Sequence, residues 1–172
     1  LRASQYAEQV LSLHTPLLEQ DFAIDQFQKS LTTSQIHSLV QDSLFDIQNE
    51  NQWMSTLRIL RARLMFRWIW QDANQLTDVV TLTRELSDFA DASINAAKDF
   101  ARIPLLAKHG EPVGYGGKVQ DLIVVAMGKL GAQELNLSSD IDLIFAFDEQ
   151  GETHGRKCVD VQQFCIAWGQ KI

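Results

Sequence analysis

The sequence predicts an α+β chain in two parts, a helical bundle over residues 1–103 and a sheet-bearing core with flanking helices over 104–172. Three observations predict it. Apolar residues recur at helical spacing through the first hundred positions. The stretch 104–118, "PLLAKHGEPVGYGGK", then holds two of the three prolines and four of the nine glycines, which marks a loop and a boundary. Beyond it, "DLIVVAMG" and "DIDLIFAF" are short, apolar and rich in β-branched residues, as buried strands are.

Taken in order, Ser4 caps a short helix through Leu13 that Pro16 interrupts, and Thr33 or Ser34 starts another through Ile47, with Ile36, Leu39, Val40, Ser43 and Leu44 on one face. A longer helix runs from about Asn51 to Asp72, its stripe formed by Trp53, Leu57, Leu60, Leu64 and Trp68. The next, from about Leu76 to Phe100, turns Leu76, Val79, Thr83, Leu86, Phe89, Ala90, Ser93 and Ala97 inward. After the loop at Pro104 comes the first strand, ended by Gly128; "KLGAQELN" suits a short helix, "DIDLIFAF" a second strand, and "DEQGETHGRK" a turn. Val161, Phe164, Cys165 and Trp168 fall at helical spacing near residue 172.

Composition narrows the function. A net charge of −7 opposes non-specific attraction to phosphate backbones and anionic membranes, so neither nucleic acid nor membrane is an expected partner. No apolar window is long enough for a membrane span and no signal peptide opens the chain, which points to the cytoplasm. The opening Leu1 and the interrupted pattern at Ile172 give the sequence the look of a fragment. Cys158 and Cys165, seven residues apart on one helix side, are placed for packed, reduced thiols rather than a disulfide or zinc site, and the four histidines show no ligand spacing. Arg58, Arg61, Arg63 and Arg67 form the only basic run; it reads either as a contact surface for phosphate or an acidic partner, or as a solvated face paired with Glu85 and Asp88. "GYGGK" lacks the spacing of a phosphate loop, since Pro112 stands at the first glycine position and Val119 follows Lys118.

The chemistry concentrates in residues 128–145, "GKLGAQELNLSSDIDLIF". Side chains of a strand alternate faces, so Asp140 and Asp142 point one way while Ile141, Leu143 and Phe145 point into the core. Two such carboxylates, about 7 Å apart, can share a hard divalent cation with phosphate oxygens completing its shell. Gly128 lets backbone approach a ligand; Lys129 is either a point charge for phosphate or an exposed turn lysine; Ser138 and Ser139 offer hydroxyl donors. For Gly131, a helix start and a ligand approach remain alternatives. The bland reading of the acids is a solvent-facing edge strand.

"MGKLGAQELNLSSDIDLIFAF" resembles the signature of the DNA polymerase β-like nucleotidyltransferase superfamily, with Lys129 where a smaller residue is usual. Within it, "GKLG..ELN.SSDIDLIF" is similar to the glutamine synthetase adenylyltransferase and adenylyl-removing family, and the "NLSSDIDLIF" form to its amino-terminal copy. The resemblance implies a partial nucleotidyltransferase core with a small mixed sheet. It implies Asp140 and Asp142 as the Mg²⁺-binding pair, with Gly128 and Ser139 on the nucleotide side. It further implies ATP, ADP and phosphate as substrates or products, and glutamine synthetase and the PII signalling protein as partners. The activity implied is removal of AMP from a tyrosine of glutamine synthetase by phosphorolysis. Rivals are the AMP-adding half, another nucleotidyltransferase, or a docking module without chemistry. The superfamily's third carboxylate is expected beyond Ile172: Asp148 is about 20 Å from Asp142 in extended chain, and Asp160 falls on the following helix. The fragment itself is therefore expected to be inactive.

Overall fold

A computed structural model describes residues 28–172. The helix expected over Ser4–Leu13 and the break at Pro16 lie outside the described residues. The chain divides into two compact units, Leu1–Ala92 with Gln133–Ser139, and Ser93–Ala132 with Asp140–Ile172.

The first unit is helical. Helix α1 (Thr33–Leu44) begins at Thr33, one of the two expected starts, and ends three residues short of Ile47; Thr32 caps it with a reciprocal capping box, its hydroxyl accepting from the Gln35 amide at 3.3 Å while Gln35 Oε1 accepts from the Thr32 amide at 2.9 Å. Ile36, Val40 and Leu44 are buried as expected, whereas Leu39 is 38% exposed. Helix α2 (Glu50–Ala73) is capped by Asn49 and buries Trp53, Leu60, Leu64 and Trp68. Met65, Phe66, Arg67 and Gln71 are buried too, so its second half is covered on more than one side. Helix α3 (Val79–His109) starts at Asp78, whose carboxylate accepts from the amide and hydroxyl of Thr81. Those bonds hold the Asp78 carboxyl below its usual range. Its inward face in this unit is Leu82, Leu86 and Phe89; Leu76 and Val79, expected inside, are 39% and 70% exposed because they precede or open the first turn. Trp68 and Phe89 meet edge to face at 5.9 Å.

The arginines of α2 do not form one surface. Arg58 and Arg61 are exposed, but Arg67 is buried and donates to the Lys29 carbonyl. Glu85 and Asp88, expected as arginine partners, instead accept from the Trp68 indole, the Leu31 amide and the Thr33 hydroxyl.

In the second unit α3 continues through Pro104 to His109, where the sequence suggested a loop. A helical proline removes one N–H and crowds one carbonyl, and here the turn after it is anchored by Leu105 in the core, while Lys108 and His109 lie in the last turn, where positive charge suits the helix dipole. Strands β1 (Pro112–Gly114) and β4 (Gly151–Thr153) pair antiparallel, and so do β2 (Ile123–Ala126) and β3 (Leu143–Ala146). The expected single mixed sheet is thus two separate antiparallel pairs among the described residues. A parallel neighbour needs a crossover usually built on a full helix, and the link from β2 to β3 holds only the four-residue α4 (Gly128–Gly131). Helix α5 (Val161–Gly169) is capped by Asp160, which accepts from the Gln163 amide at 2.6 Å.

Ala101, Leu105, Leu122, Val161, Phe164, Cys165 and Trp168 make the core of this unit. Trp168, wholly buried, donates to the Lys98 carbonyl at 2.8 Å and lies beneath the cations of Lys98 and Arg102, which are themselves paired with Asp121 and Glu111.

Candidate metal and nucleotide site

Strand β2 runs Ile123–Ala126 against β3 with Ala126 opposite Leu143, and one further bond, Met127 amide to Asp142 carbonyl at 2.9 Å, extends the ladder beyond both strands. The acids therefore stand immediately before β3 rather than within it, with Asp142 facing the residue that precedes Gly128. Both carboxylates are exposed, and neither is taken up by an ion pair or hydrogen bond among the described residues.

The face expected to bury Ile141, Leu143 and Phe145 is only partly covered: Ile141 is 43% and Phe145 39% exposed. From that same face it is Leu122, Val124 and Phe147, toward the far end of the pair, that join the core with α5.

The two glycines of the turn differ. Gly128 sits at φ +56° with no atom within 4 Å of where a Cβ would stand, so this side of the turn is open. At Gly131 a Cβ would meet the Ala126 carbonyl oxygen at 2.5 Å, which makes it a glycine of close packing against its own strand. Leu130, 1% exposed, anchors the turn between them, and Lys129 is exposed.

Ser138 and Ser139 belong to the first unit, in the segment Gln133–Ser139. There Leu135 is buried and its amide donates to the Ser87 hydroxyl at 3.1 Å, while Gln133 donates to Asp91. Both serine hydroxyls donate to Asn136 Oδ1, at 3.4 Å from Ser138 and 2.7 Å from Ser139. Asn136 held no place among the expected site residues, although an Asn two positions before a Ser pair is a turn signal.

The GYGGK loop has its amides engaged, two within the loop and two by Glu149 and Gln150. The amides of Gly114, Tyr115, Gly116 and Gly117 go to the Lys118 carbonyl, the Gln150 carbonyl, Glu149 Oε1 and the Gly114 carbonyl. A loop that cradles phosphate needs such amides free. Asp148 is exposed and pairs with Lys118 at 3.7 Å.

The donor set of the second unit suits a hard cation: two exposed, unengaged carboxylates, one of them on the residue whose carbonyl bonds Met127, just before the open Gly128. No group of three or more His, Cys, Asp or Glu side chains able to hold a metal occurs among the described residues. Mg²⁺ characteristically takes one or two carboxylates and completes its octahedron with water and phosphate oxygens, so the residues fit it.

The comparisons give the class: residues 1–172 match the family described as glutamate-ammonia ligase adenylyltransferase, and the chain belongs to it. Among its relatives, the bifunctional glutamine synthetase adenylyltransferase/adenylyl-removing enzyme of Acinetobacter baylyi is 74% identical over 172 residues, 100% of this chain and 19% of that protein. The enzyme of the same name from Pseudomonas syringae pv. tomato is 37% identical over 99% of this chain and 18% of its own length. That of Hahella chejuensis is 40% identical over 86% of this chain and 15% of its own. The chain thus spans about a fifth of the curated relatives it matches.

Proposed function

We propose that this chain is part of the domain that removes AMP from adenylylated glutamine synthetase by phosphorolysis. The observation that carries the reading is the pair Asp140 and Asp142, exposed and unengaged, with the Asp142 carbonyl bonded to the residue before the open Gly128, in a chain of this family. The form "NLSSDIDLIF" supports removal over addition, since it resembles the amino-terminal copy of the family's two nucleotidyltransferase domains.

In the reaction, an oxygen of inorganic phosphate attacks the phosphorus of the tyrosyl-AMP ester in line. The bond from that phosphorus to the tyrosine oxygen breaks, tyrosinate leaves and takes up a proton, and ADP is formed. Asp140 and Asp142 would hold Mg²⁺, which when bound neutralises charge on the phosphoryl oxygens. Gly128 leaves room for the nucleotide at the end of β2, and Lys129 adds positive charge to the same turn. The reading carries with it the cytoplasm as compartment and PII as regulator; no helix among the described residues is long and apolar enough to cross a membrane.

The test is Asp140→Asn and Asp142→Asn in the full-length enzyme, measuring ADP release from adenylylated glutamine synthetase with phosphate and Mg²⁺. Removal should fall by about 10²–10³-fold while AMP addition stays near wild type. Loss of addition with removal intact would assign the chain to the opposite activity, and loss of neither would place the chemistry elsewhere.

A further inference from the structure

The β2–β3 pair alternates in burial but not in polarity. Leu122 is buried and Val124 and Ala126 are half-buried, while Ile123, Val125 and Met127 between them are 47%, 44% and 44% exposed. Directly opposite residues of an antiparallel pair share a face, so the exposed Ala146 stands beside Ile123, and Ile144, 51% exposed, beside Val125. A solvated face of an antiparallel sheet ordinarily carries polar residues; this one carries Ile123, Val125, Met127, Ile144 and Ala146. The same face reaches the acids. Met127 has extended backbone, φ −107° and ψ 169°, and its amide bonds the Asp142 carbonyl, so the ladder runs on by one pair and sets Asp142 beside Met127. By alternation Asp142 shares the side of Ile144. An exposed apolar strip thus starts at this carboxylate and runs away from the Gly128 turn, for roughly 14 Å as far as Ala146. All of these residues belong to the second unit.

We propose that this strip receives the tyrosine side of the substrate, the phenol ring of the adenylylated residue and the apolar side chains that flank it. The inference deepens the function proposed above and rests on it. The ester has two unlike sides. Its AMP is polar and charged and belongs with the cation and the open turn at Gly128. Across the phosphorus stands an aromatic ring joined to a peptide, and such a ring gains from leaving water. With the phosphorus held at Asp142, Met127, Val125 and Ile144 offer the ring an apolar surface within its reach. The ring itself does not change during the reaction, so the strip holds ester and transition state alike and acts on KM rather than kcat.

The test is the double variant Val125→Thr with Ile144→Thr in the full-length enzyme, beside the apolar double variant Val125→Ile with Ile144→Val, and Asp142→Asn. Threonine keeps the β-branched shape that suits a strand and gives up apolar surface. ADP release is measured at varied adenylylated glutamine synthetase and at varied phosphate, and unfolding is followed in urea. The threonine pair should raise KM for adenylylated glutamine synthetase by about tenfold, with kcat, KM for phosphate and the urea midpoint unchanged. The apolar pair should stay within about twofold of wild type. An unchanged KM in the threonine pair overturns the proposal, and so does an equal rise in the apolar pair. A lowered urea midpoint in the threonine pair overturns it as well, since the face would then be packed against the enzyme's own polypeptide. If Asp142→Asn spares removal, the underlying function fails; if it abolishes removal while the threonine pair keeps the wild-type KM, only this inference does.

Discussion

Gly128 and Gly131 stand three residues apart and are required for opposite reasons. The first needs its backbone angle, φ +56°, and has space around it; the second has an ordinary angle and no space, with the Ala126 carbonyl oxygen 2.5 Å from a Cβ position. Asn tolerates left-handed backbone better than other residues. Gly128→Asn should therefore shift the urea midpoint little, yet reduce AMP removal by filling the open side of the turn. Gly131→Ala should destabilise by about 1–3 kcal/mol, and Gly131→Asn by no less. Equal midpoints for Gly128→Asn and Gly131→Asn would contradict the distinction. The exposure of Asp140 and Asp142 was legible in the sequence, since charged side chains are rarely buried without a partner, but their place ahead of β3 rather than within it was not. The two jobs of the glycines were not, since spacing alone cannot distinguish a forced angle from a close approach. Nor was the bond from Leu135 to Ser87, which joins residues 48 apart.

Helix α5 and the loop before it divide the two cysteines. The sequence placed both on one helix side, but Cys158 precedes the helix, exposed, with its thiol donating to the Thr153 carbonyl at 2.8 Å, while Cys165 is in the core. The Asp160 cap explains the difference: a side chain accepting from the Gln163 amide starts the helix after Cys158. Burial, with the Asp121 charge adding to it, pushes the Cys165 thiol up to about 11. A thiol reagent at pH 8 should therefore label Cys158 quickly and Cys165 only on unfolding, so prompt labelling of both would show the core of this unit to be open. The sign of the linkage follows. The folded thiol keeps its proton to higher pH than the unfolded one, so its contribution to stability is complete below about pH 9 and is lost as pH rises through about 11. The long helices were legible as elements because their apolar stripes are periodic. Continuation of α3 through Pro104 was not, because tertiary burial of the turn at Leu105 outweighs a local breaker.

At the scale of the molecule, α+β character was legible from the change of pattern along the chain, but pairing was not. Strand sequences show burial and leave the neighbour unspecified, and two antiparallel pairs stand where one mixed sheet was expected. One feature gives each unit its own optical signal. Trp53, Trp68 and Trp70 all lie on α2, whereas Trp168 is alone on α5, enclosed and set under two cations. A Trp168→Phe variant should lose a blue-shifted component of the emission spectrum and keep the rest. The difference spectrum during denaturant titration then reports melting of the sheet-bearing unit by itself. Coincidence of that trace with far-ultraviolet dichroism, which is dominated by helix, would mean that the two halves come apart together; a gap between them would measure how independently each one holds.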